Sequence, residues 1–289
     1  MELQAFYKRC LAVNLRPASI AQYRKVLLRY AKAGYGDDST PQQIREYLAS
    51  LQVAPATRKI HWMTLRVYFS FLQKNGLIKH NPMEAVEKPR CPKKVMRFFS
   101  SDEVQQMLNC WDTHTYSGLR NKTIMLLFLG TGIRRAELAG LMVSDIRWDI
   151  DCIMIRGKGG KERTVPISAE LRRALSTYIA VRDRWMAGAE RPCKALFLSV
   201  QYRQQLTPAG VWSVFAKSPL TGERISPHTW RHTFGRCWIL NGGSIVSLQQ
   251  ILGHSDIATT RKYIYLASED VAIENQQFNP LSNSKWTYF

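Results

Sequence analysis

Four short stretches hold the side chains of this sequence that could do chemistry. In "TGIRRAEL", Arg134 and Glu137 stand three residues apart on one helical face, where a carboxylate can hold a guanidinium in one orientation. In "GKGGKER", Lys158 and Lys161 occupy a turn whose glycines let the backbone approach a ligand closely. In "PHTWRHTF", His228 and Arg231 repeat the three-residue step and can point into one pocket. "LGHSDIATTRKYIYL" sets His254 nine residues before Tyr263 and eleven before Tyr265, so either tyrosine is a candidate nucleophile. Each piece also has an ordinary explanation: a surface ion pair, a local hydrogen bond, a basic hairpin, an aromatic packed in a core. His232 lies four residues after His228, a spacing that metal ligands use, but no third ligand of the right kind is nearby, and it reads as structural.

The order and spacing carry more than the parts. T-G-x-R-x-x-E-L is followed 24 residues after Arg134 by Lys158 in its turn, then by H-x-x-R-H, then by L-G-H with Tyr263 nine residues on. This set resembles the tyrosine recombinase (phage integrase) family, above all its Xer-like and transposon or prophage integrase members. The resemblance spans the catalytic half, roughly residues 95–270, and extends by pattern to a helical half in front of it.

The resemblance implies that a tyrosine attacks a DNA phosphodiester, forms a 3′-phosphotyrosine and releases a 5′-hydroxyl. A second strand's 5′-hydroxyl then reverses the step, so no metal, ATP or other cofactor is needed. It implies that Arg134 and Arg231 clamp the phosphate and that His254 donates to a nonbridging oxygen. By the same resemblance His228 assists removal of the nucleophile's proton, Lys158 protonates the leaving oxygen, Glu137 orients the site and Tyr263 is the nucleophile. Lys161 is the alternative to Lys158, and Arg135 to Arg134; spacing and register favour the first of each pair. The implied partners are a double-stranded DNA core site and further copies of the chain, a dimer on one site and a tetramer in the synapse. Accessory DNA-bending or directionality proteins would join them. The competing readings are a catalytically silent DNA-binding relative and a type IB topoisomerase-like strand relaxer. A metal-dependent nuclease would need clustered carboxylates, and Asp149 with Asp151 is the only close acidic pair outside helix starts and tails in the catalytic half.

The elements that must position these residues are mainly helical. "SIAQYRKVLLRYAKAG" has apolar residues at helical spacing and stops at Gly34, "STPQQIREYLASL" starts on a Thr40 cap, and "APATRKIHWMTLRVYFSFLQKNG" ends at Asn75-Gly76. Arg24, Lys25, Arg58, Lys59 and Arg66 fall mostly off the apolar faces and are candidates for a DNA-facing surface, as are Lys161, Arg261 and Lys262. From His80 on, three prolines and several basic residues without apolar period read as an extended linker. Beyond it come a helix capped by Ser100 or Ser101, a buried helix, a glycine break, and a second helix from Arg134. A β-hairpin of Cys152–Arg156 and Thr164–Ile167 follows, then more helices, with the stretch around Pro192 and Pro208 read as loop and His254 placed at a helix start.

The expected fold class is therefore multidomain and mainly α. The resemblance implies a helical core-binding, SAM-like domain over residues 1–87, a linker 88–98, and a catalytic domain with a small antiparallel sheet 99–289. Its tail, from about residue 270, is of the kind that family members hand to a neighbouring protomer. Charge agrees: 41 Lys and Arg against 22 Asp and Glu give a net charge of +19, an excess shared by both halves and suited to nucleic acid. Six scattered cysteines without a C-x-x-C pair fit reduced thiols, and no signal peptide or membrane-length apolar run is present, so the expected location is the cytoplasm, at the nucleoid.

Overall fold

Prolines and short polar residues set where the helices begin. The computed structural model describes residues 1–92, 96–157, 160, 162–187, 191–217, 220, 225–254, 256–257, 259–261 and 263. The chain divides into two units, Met1–Val95 and Met96–Phe289.

The first unit holds α1 (Leu3–Ala12), α2 (Pro17–Lys32), α3 (Pro41–Ser50) and α4 (Pro55–Lys74). Proline opens α2, α3 and α4, where its missing N–H would have no helical partner. Thr40 and Gln43 close a capping box at the start of α3. Phe6, Leu27, Tyr30, Ile44, Tyr47, Leu65, Tyr68 and Phe69 form its core. The stretch from His80 is not extended throughout. Pro82–Ala85 is a 3-10 turn capped by Asn81, Met83 and Val86 are buried in the same core, and Trp62 Nε1 donates to the Val86 carbonyl at 3.0 Å. Two apolar side chains, spaced too closely to show a period, anchor it.

The second unit begins with α5 (Ser101–Asn109), where Ser100 and Glu103 form a capping box. Then come α6 (Tyr116–Thr131), the five-residue α7 (Arg135–Ala139), β1 (Ile146–Arg147), β2 (Cys152–Arg156), β3 (Glu162–Pro166), α8 (Ala169–Met186), α9 (Pro208–Ala216), α10 (Pro227–Leu240) and α11 (Ile245–Leu252). The sheet is antiparallel in the order β1-β2-β3. Its register pairs Ile153 with Ile146 and with Val165, and all three side chains are buried. α6 is buried on most sides, polar Arg120 and Asn121 included, because α8 and α10 both pack on it; Ile124, Leu127, Phe128, Leu175, Tyr178 and Trp230 share that core. Among the described residues no helix is long and apolar enough to cross a membrane.

Three local expectations change. β1 is a two-residue strand, too short to give an alternation signal. Pro208 does not lie in a loop: it is the first residue of α9, with Thr207 as the cap. His254 does not start a helix; it follows the end of α11, which Gly253 closes in the left-handed conformation (φ 62°).

α6 ends in the same way, on Gly132 at φ 58°. A Cβ there would stand 2.6 Å from side-chain carbons of both Leu252 and Phe234. The glycine thus combines a left-handed backbone with close contact between α6, α10 and α11. Replacing Gly132 by Ala should destabilise the chain by about 2 kcal/mol, from strain and overpacking together, read as a lowered denaturation midpoint.

Candidate active site

The turns closed by Gly132 and Gly253 aim unpaired carbonyls at arginines. The last carbonyls of a helix lack helical partners and carry the negative end of its dipole. Arg231, one turn into α10 and 4% exposed, donates from Nη1 to the Gly132 carbonyl (2.5 Å) and from Nη2 to the Leu252 carbonyl (2.7 Å). Arg134 donates from Nη2 to the Gly253 carbonyl (3.0 Å). Two helix ends therefore hold two guanidinium groups close enough for each to feel the other's charge.

Glu137 serves Arg134 twice. Its carboxylate accepts from the Arg134 backbone N–H (2.9 Å), as the third residue of a capping box does, and from Arg134 Nη1 (2.8 Å). A third guanidinium completes the arrangement. Arg163, on β3, grips the same carboxylate with both terminal nitrogens (3.0 and 2.8 Å) and donates from Nε to the Ile251 carbonyl (2.7 Å). These bonds outweigh burial, which alone would raise the Glu137 pKa, and hold it at about 2. Arg163 ties the hairpin, α7 and the end of α11 to one another.

His254 sits where Gly253 releases the chain. Its Nε2 is 2.8 Å from Arg231 Nη2, and because a guanidinium only donates, Nε2 accepts. Nδ1 then carries the ring proton and donates to Thr260 Oγ1 at 2.8 Å. Burial first, then Arg231, Arg134 and Arg163, push the imidazole down to about 4, so it is neutral at pH 7. Tyr263 is 2% exposed, and its ring packs with Phe234, Leu248 and Leu252. Burial raises the phenol pKa, and Arg231 and Arg134 pull it partly back. Its hydroxyl shares a 3.0 Å hydrogen bond with His232 Nδ1.

Arg134, Glu137, Arg231, His254 and Tyr263 are thus brought together. His228, in the first turn of α10, is exposed; partial desolvation and the charges of Arg231, Arg135 and Arg134 lower its pKa. The resemblance gives the nucleophile's proton to His228, whereas the hydrogen bond with the Tyr263 hydroxyl is made by His232. Lys158, Lys161 and Lys262 lie outside the described residues, as do 264–289. Asp149 and Asp151 are engaged by Arg147 and Arg172. In the first unit, Arg24 and Lys25 are exposed, Lys59 is half-buried, and Arg58 donates to the Leu51 carbonyl at 2.8 Å. Arg66 lies over the Trp62 ring and, with Lys74 and Lys88, lines a groove of about 460 Å³. Arg261 is exposed. Arg163 had one sequence signal: it is in phase with the inward-facing Val165 and Ile167, where a charge needs a buried partner.

Residues 97–270 match the phage integrase family. Tyrosine recombinase XerC of Myxococcus xanthus is 33% identical over 240 residues, covering 80% of this chain and 79% of its own length. Tyrosine recombinase XerD of Listeria monocytogenes is 29% identical over 247 residues, covering 84% and 78%. Among solved structures, a Tn1549 transposon integrase in complex with a circular intermediate DNA aligns over 91% of this chain and 95% of its own, with 18% identity and a TM-score of 0.74. A lambda integrase dimer bound to a COC′ core site aligns over 90% and 75%, with 19% identity and a TM-score of 0.73. At such identities these two share the fold.

Two consequences follow from Glu137. Arg163→Met leaves its buried carboxylate with one guanidinium and should cost about 3 kcal/mol in chemical denaturation. The carboxyl's pKa is depressed on folding, so its stabilisation is present above the unfolded value near 4.5 and is lost as pH falls towards about 2. Glu137→Gln should flatten the stability–pH curve across that window.

Proposed function

The chain belongs to the phage integrase family of tyrosine-type site-specific recombinases, enzymes that cleave and rejoin DNA, and from that premise we propose that the cluster around Arg231 receives the scissile phosphate. One observation carries this reading. Arg231 is buried and charged, pushed down to about 9 yet still protonated at neutral pH, and among the described residues no carboxylate forms an ion pair with it. Buried charges are ordinarily paired, which supports an anionic ligand as the counter-charge of Arg231. A phosphodiester, singly negative and gaining charge in the transition state, has that chemistry.

Tyr263 attacks the phosphorus, forming the phosphotyrosine bond as the bond to the 5′-oxygen breaks. Arg134 and Arg231 hold the nonbridging oxygens, and Glu137 fixes Arg134. Lys158 delivers the proton to the leaving 5′-oxygen, and His228 assists removal of the phenol's proton. His254 Nε2 accepts from Arg231, so to donate to a phosphate oxygen it must gain a proton there; a bound anion raises its pKa in that direction. The second strand's 5′-hydroxyl then reverses the sequence, with no ATP or metal ion.

In this reading residues 1–87 form the core-DNA-binding domain, 88–98 the linker and 99–289 the catalytic domain with its tail, a division close to the two units of the chain. Arg24, Lys25, Lys59, Arg66, Arg261 and Lys262 contribute phosphate contacts. The protein works in the cytoplasm at the nucleoid, as a dimer on a double-stranded core site and a tetramer in the synapse, with DNA-bending or directionality proteins as helpers.

A nicked core-site duplex tests the chemistry. Wild type and Tyr265→Phe should yield an SDS-resistant protein–DNA adduct and Tyr263→Phe none; an adduct with Tyr263→Phe but not with Tyr265→Phe contradicts the assignment. A plasmid with two sites should recombine, whereas efficient relaxation of a single-site plasmid would point to a strand relaxer.

A further inference from the structure

α10 carries more of the site than its two matched residues. His232 and Gly235 stand three residues apart on this helix, and both meet Tyr263. A Cβ on Gly235 would lie 2.8 Å from two ring carbons of Tyr263 and 3.0 Å from a third. The absent side chain is therefore the space that the phenol ring occupies. One turn earlier, His232 Nδ1 meets the hydroxyl at 3.0 Å, with ring centroids 5.8 Å apart. The helix thus sets both ends of the tyrosine: the ring by a gap and the oxygen by a hydrogen bond.

The need for such a seat follows from the chain's course. Tyr263 follows the α11 cap by ten residues, and for attack its hydroxyl must be placed beside the two arginines with an error below about an ångström. The hydrophobic cluster of Phe234, Leu248 and Leu252 holds the ring but does not orient a hydroxyl, since apolar contacts are not directional. His232 supplies direction. It adjoins Arg231 in sequence, so the nucleophile's oxygen is referred to the residue next to the phosphate-binding cation.

We propose that His232 and Gly235 form a berth on α10 that positions the Tyr263 phenol, with His232 as a positioning residue acting through Nδ1. This rests on the recombinase reading for its effect on cleavage, while the contact itself can be tested without DNA. The side-chain amide of Asn can stand where Nδ1 stands, whereas Ala leaves the hydroxyl without that partner.

The first arm is a double-mutant cycle on folding stability in the absence of DNA, using His232→Ala, Tyr263→Phe and the double variant. The expected result is non-additivity, the double variant being little less stable than Tyr263→Phe alone; additive shifts in midpoint would overturn the berth. The second arm is single-turnover adduct formation on the nicked core-site duplex, with DNA binding followed by gel shift. His232→Ala should slow adduct formation by about 10- to 100-fold with binding unchanged, and His232→Asn should recover most of the rate. Gly235→Ala should slow it comparably, again with binding intact. A His232→Ala rate within about twofold of wild type, or a His232→Asn rate no better than Ala, would contradict the proposal. If wild type forms no adduct while the cycle is non-additive, the recombinase reading fails and the seat stands.

Discussion

Burying positive charge beside positive charge is the constraint on which this site depends. Arg231 is almost wholly buried with Arg134 close by, and one carboxylate, Glu137, binds Arg134 and Arg163 rather than Arg231. The stabilisation comes from backbone. α6 and α11 each end on a left-handed glycine, and the carbonyls of Gly132, Ile251, Leu252 and Gly253 accept from the three guanidiniums. A helix end presents partial negative charge without a titratable group, so Arg231 is held but not neutralised. A paired carboxylate on Arg231 would compete with an incoming phosphate; a carbonyl fixes direction and leaves the net charge for the ligand. Arginine suits this arrangement because its fork can donate to protein from some edges and offer others to a phosphate.

The same charge cluster sets the states of its neighbours. It keeps His254 neutral, so the ring accepts from Arg231 and donates to Thr260. It draws the Tyr263 phenol back towards ionisation against the effect of burial. In the proposed function an incoming phosphate would act on both groups at once, which would couple the binding of DNA to the protonation of the site. Arg163 gives the cluster mechanical unity, since its three guanidinium nitrogens span the hairpin, the N-terminus of α7 and the C-terminus of α11.

How much of this was legible depended on whether a signal was local or arose only in three dimensions. Cap residues showed the starts of α3 and α5, and the glycines after α6 and beside His254 were visible as motif letters. That the second glycine ends a helix was not, because α11 is eight residues long and its apolar face faces only part of the core. α9 was hidden by Pro208, which reads equally as loop or as a first helical residue. The short β1 has no period of its own and exists because β2 pairs with it. Order and spacing picked out Arg134, Glu137, Lys158, His228, Arg231, His254 and Tyr263 as one set; of these, Lys158 lies outside the described residues and His228 is exposed. Arg163 and His232 escaped because their partners lie 26 and 31 residues away in sequence, and nothing in their own segments names those partners.

The central claim is that Arg231 is a buried cation whose counter-charge is the scissile phosphate. The most direct measurement is an experimental structure of the Tyr263→Phe variant on an intact core-site duplex, in which cleavage cannot proceed. The account predicts a phosphate whose nonbridging oxygens lie within hydrogen-bond distance of Arg134 and Arg231, while Arg231 keeps the carbonyls of Gly132 and Leu252. A phosphate out of reach of both arginines, with a carboxylate of this chain seated on Arg231 instead, would contradict it.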